Sequence, residues 1–182
     1  MNVYCVTGYP GSGKSTATDY LEGKVPIVVM GNIVRRLAKD RANISAENGR
    51  EVGQWATKTR ETHGDTIFAE ETCSIIQDKY SESDKVVIDG IRSVEELTVF
   101  EQAFEDVTVI YIHTPFELRF KRITERGRDA EESEYTKKDL QKRDEQEKQW
   151  GLEGIVDQAD VRIDNTDSLS DFYNELESVI QL

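Results

Sequence analysis

Cysteine is nearly absent: Cys5 and Cys73 are the only two in 182 residues. Two isolated thiols make neither a disulfide framework nor a zinc site, both of which need clustered Cys or His. They are expected to be small buried hydrophobes. His63 and His113 also stand alone. Positive charge is in deficit, with 23 Lys and Arg against 36 Asp and Glu, a formal net charge of -13. Polyanion affinity comes from a basic face, so the balance argues against a nucleic-acid polymer or an acidic membrane surface as partner, and neither is expected. No apolar run approaches the roughly 20 residues of a membrane span. Only three prolines occur, and no Pro/Gly linker, repeat or low-complexity tract divides the chain. A single domain over residues 1–182 is therefore expected. Met1-Asn2 runs straight into an apolar stretch with no leader pattern, so a soluble, cytoplasmic protein is expected. Nothing in the sequence points to a partner protein.

What is present is an alternation. Short apolar runs occur at Val3–Val6, Ile27–Met30, Val86–Ile88 and Val107–Ile112, with a weaker one at Val161 and Ile163. Runs of this kind suit strands buried on both faces of a parallel sheet. Helical patterns lie between them. Ser168 is a candidate N-cap for a helix carrying Leu169, Phe172, Leu176 and Ile180, and Ser93 for one carrying Leu97, Phe100 and Phe104. The pattern predicts a three-layer α/β domain with about five parallel strands, its ligand site beyond their carboxyl ends. Two stretches, Arg41–Thr62 and Glu125–Lys148, look too polar for core helices. The second holds seven basic and nine acidic residues, either a solvated helix pair or a mobile lid. His63 before Gly64 reads as a helix end. Gly151 and Gly154 read as breaks after the second polar stretch.

Gly8-Tyr9-Pro10-Gly11-Ser12-Gly13-Lys14-Ser15 fits G-x-x-x-x-G-K-[ST] in full and sits between a strand and a helix beginning near Thr16. That is the context of a phosphate-binding loop. Its glycines let backbone N–H groups converge on an anion, and the helix N-terminus adds positive potential. Gly8 to Ser15 and Thr16 are the expected nucleotide contacts. Lys14 is expected to reach the β- and γ-phosphates, and Ser15 to offer its hydroxyl to Mg2+. Asp89, at the end of the third apolar run, is the expected second metal partner. ATP and Mg2+ are the cofactors this pattern implies.

With these motifs the sequence resembles the nucleoside monophosphate kinases, adenylate kinase above all, and more closely the archaeal adenylate-kinase-related P-loop proteins. The resemblance covers nearly the whole chain. It rests on the loop, on Met30-Gly31-Asn32-Ile33-Val34-Arg35, on Ile88-Asp89-Gly90-Ile91-Arg92-Ser93, and on Ala159-Asp160 with Asn165. It implies that Arg35 and Arg92 grip the phosphate of a small phosphorylated acceptor. It implies an acceptor-binding helical region over 31–80 and a lid over 125–148. Arg122 would lie on the donor base. Arg126, with Arg128 and Arg143 from the lid, would close on the transferring group. Glu95 and Glu96 stand where adenylate kinases use a glutamine to read adenine. Glu96 is the candidate acceptor contact, and a carboxylate cannot donate a hydrogen bond, which argues against AMP. Trp55 and Trp150 could stack on a base or simply pack, and Glu51 and Gln54 share the segment of Trp55.

The expected activity is transfer of the ATP γ-phosphoryl group to such an acceptor, foremost a nucleoside monophosphate. Two alternatives stay open. One is a dephospho-coenzyme A kinase-like enzyme, whose family the stretch Ala159 to Asn165 also resembles; Asp19 and Asn32 are its imperfect candidates for a catalytic acid residue. The other is a slow ATPase acting as a nucleotide-dependent switch.

Overall fold

The computed structural model describes residues 1–126 and 135–182. Five strands form one sheet: β1 (Asn2–Thr7), β2 (Ile27–Val29), β3 (Lys85–Asp89), β4 (Asp106–His113) and β5 (Val161–Asp164), in the order β2-β3-β1-β4-β5. Every pairing is parallel, as the apolar runs predicted. The helices among the described residues are α1 (Lys14–Leu21), α2 (Met30–Ala42), α3 (Gly49–His63), α4 (Ile67–Lys79), α5 (Val94–Ala103), α6 (Phe116–Arg126), α7 (Lys137–Gln149), α8 (Leu152–Asp157) and α9 (Leu169–Ile180).

Side chains alternate across a strand, so β1 feeds two cores. Val3 and Cys5 join Val86, Ile88, Phe68, Ile76, Leu97 and Phe100 on one face. Tyr4 and Val6 join Ala17, Leu21, Ile110, Ile112, Phe172 and Leu176 on the other. Helices on both faces explain why the strands are apolar throughout. Both cysteines are buried and unpaired, as expected. The Ser93 and Ser168 hydroxyls each accept the backbone N–H three residues on, as N-caps.

Three local expectations change. The second apolar run stops at Val29, and Met30 and Gly31 already belong to α2; Arg35 therefore sits on a helix face. The polar stretch 41–62 is not wholly solvated: α3 buries Val52, Ala56 and Thr59, a narrow stripe of small residues that average polarity hides. Gly154 does not break a helix but lies within α8, while Gly151, at φ 101°, starts it. Gly64, at φ 99°, ends α3 as read, with His63 as its last residue.

Register places the site. Val6 pairs with Asp89, and the Gly90 N–H donates to Val6 O at 3.2 Å. The end of β3 is thus fastened beside the loop that leaves β1. Among the described residues no helix is long and apolar enough to cross a membrane.

Candidate functional site

The loop from Gly8 to Gly13 is held by its carbonyls. Asn165 Nδ2 donates to Ser12 O at 2.8 Å and Thr114 Oγ1 to the same oxygen at 2.9 Å. Arg119 Nη1 donates to Pro10 O at 3.0 Å. In a trans peptide the C=O and the following N–H point in opposite directions. Carbonyls fixed outward therefore turn the next amides inward, where an anion is held. Two glycines have no substitute here. At Gly8 a Cβ would lie 2.6 Å from both Ile112 O and Ser12 Oγ. At Gly13, φ 111°, it would lie 2.2 Å from Asn165 Nδ2. Because Thr114 still holds Ser12 O, Asn165→Ala is expected to weaken Mg·ADP binding about tenfold, the size of one hydrogen bond, in calorimetry. Unchanged affinity would mean the loop needs no second pin.

Lys14 Nζ donates to Gly8 O at 2.5 Å and to Tyr9 O at 3.3 Å, curled under its own loop. Burial lowers its pKa, and the charge of Asp89 is the main opposing influence. Asp89 is itself 8% exposed. Burial raises its pKa, with Lys14 and Arg92 pulling it back. Its Oδ1 is buried without a hydrogen-bond partner, as is Ser12 Oγ. A solitary carboxylate oxygen on a residue that lines the same cleft as Ser15 suits a hard cation that takes one or two carboxylates plus phosphate oxygens, as Mg2+ does. Among the described residues no cluster of three His, Cys, Asp or Glu could hold a metal ion.

From Lys14, Ser15 and Asp89 a cleft of about 580 Å3 runs to Arg35, Arg60, Arg92 and Glu96. Its walls include Met30, Val34, Val52, Ala56 and Phe68, so one part is apolar. Arg35 lies against Asn32 Oδ1 at 3.2 Å. Arg92 stands over the Trp150 ring at 4.7 Å and 3.3 Å from Glu147. Glu96 accepts the Arg92 N–H at 2.9 Å and lies 3.5 Å from Arg60. Burial raises its pKa and these partners lower it. Its carboxylate fixes the start of α5 while also lining the cleft.

The helix arginines take different places. Arg126 Nη2 donates to Thr16 Oγ1 at 3.0 Å, at the start of α1. Arg122 Nη2 donates to Asn165 O at 3.0 Å, on the outer rim of the loop. Neither lines the cleft. Arg143 is exposed on α7, near enough to act on Lys14. Arg128 lies outside the described residues. Trp150 borders the cleft; Trp55 packs against Phe68 in the core, ring centroids 6.0 Å apart. Glu51 and Gln54 are exposed and line no part of the cleft.

Sequence reasoning missed Arg60, Arg119 and Glu147. Arg60 had a signal: Gly49, Val52, Gly53, Ala56 and Arg60 follow helical spacing along one face of α3. Arg119 and Glu147 had none, since their partners come from distant elements.

Residues 5–151 match the family model AAA_18, described as an AAA domain. A UPF0200 protein of Halobacterium salinarum is 36% identical over 182 residues, covering 99% of this chain and 93% of its own. One from Methanococcus maripaludis is 33% identical, covering 100% and 97%. A UPF0200/UPF0201 protein of Archaeoglobus fulgidus is 37% identical over 99% of this chain and 55% of its own. Among solved structures, TT1252 from Thermus thermophilus superposes with a TM-score of 0.66 at 16% identity, over 99% of this chain and 96% of that one, a likeness of fold.

Proposed function

This chain belongs to the P-loop AAA domain family and to the UPF0200 proteins; from that premise we propose that it is a Mg·ATP-dependent kinase that moves the γ-phosphoryl group to a small phosphorylated acceptor, foremost a nucleoside monophosphate. The observation that carries this reading is the continuity of the cleft. Lys14 and Asp89 line a single space with Arg35, Arg60 and Arg92. A nucleotide-hydrolysing switch has no need of three guanidinium groups facing its phosphate site.

The chemistry follows from positioning and charge. Inward amides of the loop hold the donor's phosphates, and Lys14 moves off its own carbonyls to meet them. Asp89 and Ser15 would hold Mg2+, which neutralises charge on the phosphate oxygens. Planar arginine forks fit a second phosphate bidentately and set it in line. No side chain must act as a base, because a phosphate acceptor arrives ionised.

A second reading has one observation in its favour. Asp19 lines the same cleft and is exposed, so a carboxylate is at hand to take the proton of a hydroxyl acceptor, as a dephospho-coenzyme A kinase-like reaction needs.

The test is coupled ADP release with Mg·ATP against nucleoside monophosphates, deoxynucleotides and dephospho-coenzyme A. Stimulation by a monophosphate supports the proposal, stimulation by dephospho-coenzyme A alone supports the second reading, and stimulation by none leaves a slow ATPase. In the stimulated reaction Arg92→Ala is expected to raise the acceptor KM by about tenfold or more, the size of a charge-assisted hydrogen bond, with ATP KM nearly unchanged. A change confined to ATP would show that the two ends have been confused.

A further inference from the structure

Helix α7 carries two carboxylates three residues apart, one on the arginine that clamps the Gly8–Gly13 loop and one on an arginine that lines the cleft. Asp144 accepts two hydrogen bonds from Arg119, at 2.9 Å from Nη1 and 2.7 Å from Nη2. This pair is buried, its side chains 7% and 14% exposed. The same guanidinium donates from Nη1 to Pro10 O and from Nε to Thr114 O, and Tyr9 lies against it at 5.2 Å. Each of its nitrogens is committed within the protein, so Arg119 positions the donor loop rather than binding ligand. Glu147, the next carboxylate on that side of α7, sits 3.3 Å from Arg92. Leu140, fully buried, precedes both. Residues 140, 144 and 147 share one helical face, so α7 is seated by a core residue one turn before its two charged contacts.

The two contacts differ in kind. The Arg119–Asp144 pair is bidentate and enclosed. Arg92 is 40% exposed in its pair with Glu147, and exposed pairs exchange readily. Arginine takes carboxylate and phosphate by the same planar fork, so an incoming acceptor phosphate competes with Glu147 for Arg92.

We propose that α7 is a crossbar: Asp144 positions the donor loop through Arg119, and Glu147 stands on Arg92 in place of the acceptor's anion, so each end of the cleft senses occupancy of the other. The acceptor half rests on the kinase reading above; the donor half needs only nucleotide binding.

The test uses Mg·ADP as the probe and Trp150, beside Arg92 at the end of α7, as the reporter, in a Trp55→Phe background. Saturating Mg·ADP is expected to change Trp150 emission. Asp144→Asn is expected to bind Mg·ADP about tenfold more weakly and, once saturated, to lose most of the Trp150 response. Glu147→Gln should lose that response too. A full response in saturated Asp144→Asn overturns the crossbar, because a merely structural pair would alter affinity or melting but not the transmitted signal. If Asp144→Asn does not fold, hydrogen exchange on the unaltered protein decides: added protection over 137–149 with Mg·ADP supports the crossbar, and protection confined to residues 8–21 overturns it. ADP binding with an inert α7 sinks only the crossbar. A failed acceptor screen with a responsive α7 sinks the kinase reading and the acceptor half that rests on it, and leaves the donor half standing.

Discussion

Replacing Lys14 with alanine is expected to lower turnover at saturating Mg·ATP by about a hundredfold or more, the range seen when one preorganised group facing developing charge is removed. Half-buried beneath the loop, Lys14 donates to the Gly8 and Tyr9 carbonyls. Burial lowers its pKa, while Asp89 supports the charged form. A cation partly shielded from solvent acts more strongly on nearby phosphate oxygens than one in bulk water, because less water screens it. It also needs little reorganisation, since its resting partners are carbonyls of the same loop. The loss should fall on kcat more than on Mg·ADP affinity, because the loop amides still hold the ground-state phosphates. Measured kcat and calorimetric affinity separate the two. Lost affinity with kcat unchanged would make Lys14 a simple binding group, and no change in either would remove it from the mechanism.

Asp89→Asn is expected to cost on the order of a hundredfold to a thousandfold in turnover, yet to stabilise the ligand-free protein at neutral pH. Its Oδ1 is buried with no hydrogen-bond partner, and burial raises its pKa. A raised folded pKa means that, between the ordinary aspartate value and the elevated one, the native state binds more protons than the unfolded state. Stability is then fullest below the ordinary value and falls as pH rises through the folded one. At neutrality the ionised carboxylate is a burden on the fold that asparagine lacks. The unaltered protein should therefore gain stability from Mg2+ with nucleotide, and Asp89→Asn should gain much less. Thermal melts from mildly acidic to neutral pH, with and without Mg·ADP, check both parts. A variant that melts lower than the parent at neutral pH would contradict the burial argument. One that retained its turnover would remove Asp89 from the metal site.

These results turn on features of unequal legibility. The donor loop could be read directly, because eight consecutive residues dictate it: backbone freedom at Gly8 and Gly13 and a lysine and serine at fixed offsets act within one turn of chain. The strands were legible for a similar reason, as runs apolar on both faces require helices on both sides. Asp89 could be placed because a parallel register sets the end of β3 beside the end of β1. The acceptor side was less open. Arg35 and Arg92 were found through a family resemblance, and the structure brings both to the cleft. Glu96 was read as a contact to ligand; its carboxylate is also tied to the Arg92 amide and to Arg60, a bond no spacing rule reveals.

Arginines were the hardest to assign. Arg119, Arg122 and Arg126 share α6 and similar neighbours in sequence, yet one clamps a buried aspartate, one caps a carbonyl after β5 and one reaches Thr16. A guanidinium on a flexible stem finds its partner only after the layers have packed. Asp144 lies 25 residues from Arg119, and no local pattern connects them.

The sequence alone decided that this chain makes a parallel sheet ending in a polyphosphate cradle, since short-range backbone sterics and two-sided apolar strands leave few other arrangements. The packing of α3 and α7 over that sheet decided which cations share the cleft and which carboxylates restrain them. Those choices depend on distances between elements remote along the chain, and only the assembled layers fix such distances.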